Sequence, residues 1–138
     1  MKKFWIVTVL ILIPGLLPGL SEGGEKIMEK INVLEGIPYR DEGMGKRKLV
    51  DEPYLLVMEA ALKPGQKVPD HRANSHVHIL VVTGEVVIDL AGTEIPASLG
   101  DLVPVSPGTP MNIVNRSDKE AAFLIFKTPH PAQFKGGE

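Results

Sequence analysis

The chain has 138 residues, room for one domain around one hydrophobic core. It contains no cysteine, which excludes disulfides, thiolate nucleophiles, iron–sulfur clusters and thiolate zinc sites. Its 17 acidic residues against 15 Lys and Arg give a formal net charge of −2 with no basic stripe, so nucleic acid is not an expected partner.

Residues 1–21 differ in character from the rest. Lys2 and Lys3 are followed by an apolar run from Phe4 to Ile13, broken only by Thr8, and then by Pro14-Gly15 and Pro18-Gly19. That order reads as a secretory signal peptide, with cleavage after Ser21, and implies an exported protein, periplasmic or secreted. The alternative is an uncleaved N-terminal membrane anchor, for which the apolar stretch is short. Residues 22–47 are polar and glycine-rich apart from Ile27–Leu34, and read as an N-terminal arm with room for one strand.

Residues 48–131 read as the folded barrel and 132–138 as a tail. From Tyr54 onward, short apolar runs recur every eight to twelve residues between turn signals. They are Tyr54–Leu62, Val77–Thr83, Val86–Leu90, Thr93–Ala97, Leu102–Val105, Met111–Val114 and Ala121–Lys127. Gly, Pro, Asn and Asp punctuate them, as at Lys63-Pro64-Gly65 and Pro107-Gly108. Evenly spaced short strands of this kind predict an all-β sandwich or barrel. The acids Glu59, Glu85, Asp89 and Glu94 are expected to be solvated. Pro129 and Pro131 end the last strand, leaving His130 exposed.

Two segments carry a more specific signal. In the first, Gly65 is followed after five residues by His71, and the segment closes at Thr83-Gly84-Glu85. In the second, Gly100, Gly108 and Asn115 stand at fixed offsets, with Ser106 and Pro107 before Gly108. This pair resembles the two motifs of a cupin barrel, and the resemblance spans roughly residues 54–127. It implies a double-stranded β-helix, or jelly roll, and a homodimer paired through arm and edge strands. Asn115 and Asp101 are also turn residues in their own right, whose side chains accept local backbone N–H groups.

In metal-holding cupins, three His and one carboxylate converge on a divalent ion. Of those four positions this chain keeps only His71. Ala73, Val77 and Met111 occupy the others. A divalent transition metal (Fe, Mn, Ni, Cu or Zn) therefore depends on His76 and His78 joining His71. The two lie two residues apart on one strand, so they share a face opposite Val77, Ile79 and Val81. A bulge between Ala73 and His76 would turn both inward. Without it they point outward. Met111 is a core filler, or with His71 a soft site for Cu(I).

Two functions follow. One is a small-molecule-binding module with a degenerate metal site, its pocket lined by His71, Val77, Ile79, Val81, Met111 and Ile113. It suits a ligand with an apolar body and one acidic or hydroxyl group. The other is a metal-dependent enzyme, dioxygenase- or isomerase-like, using His71, His76 and His78. The direction of His76 and His78 separates them.

Overall fold

The computed structural model describes residues 29–136. The segment read as a signal peptide lies outside the described residues. The contacts divide the chain between Lys30 and Ile31, and every strand belongs to the second unit.

Among the described residues, nine strands form two antiparallel sheets. They are β1 (Gly45–Glu52), β2 (Leu55–Leu62), β3 (Lys67–Arg72), β4 (His76–Thr83), β5 (Glu85–Leu90), β6 (Thr93–Ser98), β7 (Leu102–Val105), β8 (Pro110–Val114) and β9 (Ala121–Thr128). The larger sheet has the order β1-β2-β9-β4-β7 and the smaller β3-β8-β5-β6. This is the all-β double-stranded β-helix the sequence predicts. The seven apolar runs become β2 and β4 to β9.

Two strands have no apolar run behind them, and both are edge strands. β1 (GKRKLVDE) takes in Gly45, Lys46 and Arg47 from the segment read as an arm. β3 (KVPDHR) buries Val68 alone and tolerates Pro69 because an edge strand can lose a ladder donor. Residues 31–34 form no strand. Glu35 donates instead to the Asn32 carbonyl at 3.2 Å, closing a turn.

The core lies between the sheets. On β4 burial alternates, with Val77, Ile79 and Val81 inside. β9 is central and supplies Ala121 and Phe123, both fully buried. Ile88 and Ile113 face them from the smaller sheet. Gly84 turns β4 into β5 with φ of +70°, and a Cβ there would meet the Glu120 carbonyl at 2.3 Å. The turn is therefore closed to side chains on both counts.

Asn115 closes the β8–β9 connection from a fully buried position. Its Nδ2 donates to the carbonyls of Leu62 (3.0 Å) and Lys119 (2.7 Å). Its Oδ1 accepts from Ser117 N (2.9 Å) and Ser117 Oγ (2.7 Å). At the β6–β7 turn, Asp101 accepts the Ser98 N–H at 2.8 Å.

The arm residues explain one departure from the sequence reading. Glu59 is not solvated. It is fully buried on the outer face of β2, and its Oε1 accepts from Arg47 Nε at 2.7 Å. Arg47 Nη2 lies 2.6 Å from the same oxygen and also donates to the Glu35 carbonyl at 2.8 Å. The segment before β1 packs closely enough that a Cβ on Gly45 would lie 1.5 Å from the Pro38 carbonyl oxygen. Burial pushes the Tyr39 phenol up, with the Glu120 and Glu59 carboxylates adding to the effect. A carboxylate whose strand neighbours predict exposure is thus roofed by a segment distant in sequence.

His130 also departs from expectation. It is half-buried, its Nε2 lies 3.1 Å from Asp51 Oδ1, and its Nδ1 accepts from Ala132 N at 3.0 Å.

Candidate functional site

A cavity of about 300 Å³ opens between the two sheets. Of the six pocket residues read from the sequence, His71, Val77, Ile79, Met111 and Ile113 line it. Val81 does not. It sits two residues deeper along β4, level with the fully buried Phe123, where the interior is filled.

His71 reaches this cavity through a bulge. Val68 pairs with Ile113, and the next pair is His71 with Met111, so β3 uses three steps where β8 uses two. The extra residue puts His71, rather than Asp70, level with the inward Met111. Asp70 also lines the cavity and accepts from Asn112 Nδ2 at 2.8 Å. The His71 ring is exposed at the lip, and its Nδ1 lies 2.9 Å from the Pro69 carbonyl, which requires a proton on Nδ1. The bulge thus lies in β3 and not between Ala73 and His76.

His76 and His78 consequently point away from the cavity. Both are exposed on the face of β4 opposite Val77 and Ile79. The His76 ring packs edge-on against Phe134 with centroids 5.6 Å apart. His78 stands in register between Pro104 and Phe126. The structure does not bring the three histidines together.

Several cavity residues escape the sequence reading. Met44 and Met58 join Met111 in the lining, and Ile125 adds to the apolar wall. Lys46 and Lys127 line it as well. Lys127 shares the inward face of β9 with Phe123 and Ile125, and pairs with Val77. Its Nζ donates to Asn74 Oδ1 at 3.1 Å. Burial pushes the Lys127 amine down, and neighbouring Lys46 pushes it the same way. The period-two alternation of β9, extended two residues past Ile125, is the available signal for Lys127. Lys46 has no comparable cue, because β1 lacks one.

The geometry agrees with the comparisons. The cupin domain profile matches residues 58–127. The chain belongs to the cupin family. An uncharacterized protein of Methanocaldococcus jannaschii is 30% identical over 93 residues, 66% of this chain and 79% of that protein. A solved RmlC-like cupin with a double-stranded β-helix fold from that organism superposes with a TM-score of 0.64 at 24% identity, covering 78% of this chain and 97% of the other. A solved protein from Thermus thermophilus gives a TM-score of 0.69 at 25% identity, covering 74% and 98%. A predicted oxalate decarboxylase from Thermotoga maritima gives 0.57 at 22%, covering 62% and 80%.

The residues of this cupin do not fit the family's metal. Ala73, Val77 and Met111 are buried at three of the four ligand positions and offer at most one thioether. Among the described residues, no group of three His, Asp or Glu side chains is placed to hold an ion. One imidazole leaves a divalent ion weakly held. The purified cupin is expected to carry well under one equivalent of transition metal after dialysis, as measured by elemental analysis. Met111→His, which restores a second imidazole, is expected to lower stability by about 1–3 kcal/mol without creating a tight Zn²⁺ site. A large Zn²⁺-dependent stabilisation of that variant would show that more ligands face the cavity.

Proposed function

We propose that this cupin is a binding module for a small molecule with an apolar body and an acidic or hydroxyl head. The observation that carries the reading is the cavity itself. Its inner wall is Ile79, Ile113, Met58 and Ile125, and its polar residues are His71, Lys46, Lys127, Asp70 and Asn74, of which Asp70 is held by Asn112. The volume suits a body of several methylenes. Lys46 suits an anionic head, and the His71 imidazole suits a hydroxyl or carboxylate.

Medium-chain carboxylates serve as probes. Octanoate is expected to bind with 1:1 stoichiometry in calorimetry and octanol more weakly. Lys46→Gln is expected to weaken octanoate about two- to fivefold, the range of a partly exposed ion pair. Ala60→Leu, which extends a side chain from the cavity wall into the void, is expected to abolish binding while the fold melts cooperatively. Octanoate binding that survives Ala60→Leu unchanged would place the ligand elsewhere and overturn the reading.

Export is part of the same proposal. It rests on Lys2-Lys3, the apolar run after them and its Pro-Gly breaks. N-terminal sequencing of chain recovered from a native-like host is expected to start near Glu22. Retention of Met1 in a membrane fraction would favour the anchor, and retention in a cytoplasmic fraction would overturn export. A homodimer through the sheet edges completes the proposal, with sedimentation as its measurement.

A further inference from the structure

We propose that Lys127 is a nucleophile that forms an imine with a small aldehyde or ketone held in the cavity. The inference rests on the binding reading and adds a covalent activity to it.

The placement of Lys127 is unusual for a lysine. It occupies an inward position on a central strand, in register with the buried Val77, and its stem is half-buried. Lysine in such a place usually has a carboxylate partner. Among the described residues, none forms an ion pair with it, and its side-chain partner is the Asn74 carbonyl oxygen. That bond tethers the nitrogen at the cavity wall, where Asn74 is also a lining residue. The nearby cation Lys46 lines the same cavity. Desolvation and a like charge both favour the neutral amine, the form with a lone pair to donate.

The step is redox-neutral and balanced. The amine lone pair attacks the carbonyl carbon, a C–N bond forms, and the carbonyl oxygen takes up a proton as the nitrogen gives one up. The C–O bond of the resulting carbinolamine then breaks as its hydroxyl takes up a proton and leaves as water, and the nitrogen gives up its remaining hydrogen, leaving the C=N bond. His71 lines the same cavity, and solvent at the open lip takes and returns these protons. The apolar wall holds the carbonyl compound's body, which sets the class of reactant as aliphatic or aromatic carbonyls of modest size.

The test uses the full chain, hexanal as probe and cyanoborohydride to trap the imine, read by intact mass and peptide mapping. At pH 8, Lys127 is expected to label at least tenfold faster than the average of the other lysines. The labelling rate is expected to rise with pH and level off at a lower pH than for exposed lysines, because a depressed pKa frees the amine earlier. Lys46→Gln removes the like charge and is expected to slow labelling at pH 8 severalfold, with the difference from the parent shrinking as pH rises. Lys127→Gln removes the amine while keeping a hydrogen-bond donor for Asn74, and is expected to lose the fast adduct while the protein still melts cooperatively. Labelling spread over lysines in proportion to exposure would overturn the proposal. Octanoate binding to the parent protein without preferential Lys127 labelling would overturn the imine and leave the binding module standing. Loss of both would overturn the two together.

Discussion

Replacing Arg47 by alanine is expected to lower the unfolding free energy by about 3 kcal/mol, toward the lower end of what breaking a buried ion pair costs. Glu59 is fully buried, and Arg47 is its charge partner. Removing the guanidinium leaves a carboxylate without water or counter-charge. It also frees the Glu35 carbonyl that Arg47 Nη2 holds, so the segment before β1 loses an anchor. The partial exposure of Arg47 lets water soften the loss, which is why the lower end is expected. Denaturant unfolding measures it, and in a domain of this size a change of this magnitude also shifts the melting temperature by more than about 10 °C. The double variant Arg47→Met with Glu59→Leu removes both charges and is expected to lie within about 1.5 kcal/mol of the parent. An Arg47→Ala protein within about 0.5 kcal/mol of the parent would show that water reaches Glu59 and that residues 31–44 are not seated on the outer face of β2.

Asn115→Ala is expected to cost a similar amount, on the order of 3 kcal/mol, by a different mechanism. One side chain serves four hydrogen bonds, two as donor and two as acceptor, with no solvent exposure. Its loss strands the Leu62 carbonyl inside the fold and frees the turn before β9. Each orphaned buried group costs about 1–3 kcal/mol. Asn115→Asp separates the two halves of the role. The carboxylate keeps the acceptor toward Ser117 but has no N–H for the Leu62 and Lys119 carbonyls, so it is expected to be at least as damaging as alanine. If Asn115→Asp were neutral, the donor bonds would be dispensable and the turn alone would explain the residue.

The strands that carry an apolar run are legible in the sequence because burial between the sheets selects that run. β4 alternates through His76-Val77-His78-Ile79, and the structure follows that alternation. β1 and β3 are not legible. Their sequences carry charges and a proline instead of an apolar stripe, whereas the other two edge strands, β6 and β7, keep inward apolar residues at Ala97, Val103 and Val105. The cavity is half legible, since Met58, Ile125 and Lys127 lie on predicted strands but join the wall only through the β2–β9–β4 pairing. Val77, Ile79, Met111 and Ile113 lie on strands with clear alternation, whereas Met44 and Lys46 enter from β1 or just before it. Glu59 departs from its expected exposure because strand periodicity reports which face a residue takes but not what lies over that face.

The sequence by itself determined the fold class, through the spacing of its apolar runs and its turn glycines, and the poverty of the metal positions, through Ala73, Val77 and Met111. Both are properties of local order along the chain, where turn chemistry and residue identity act within a few positions. Only the tertiary structure decided where the chain's extra residue is absorbed. A bulge in β3 keeps His71 at the cavity, and regular pairing of β4 from His76 to Val81 keeps His76 and His78 out. Strand register has a period of two, so one bulge reverses every later side chain, and its position depends on pairing with β8 across the sheet. The same long-range pairing set Lys46 and Lys127 on one cavity and Arg47 over Glu59, contacts between residues far apart in the chain.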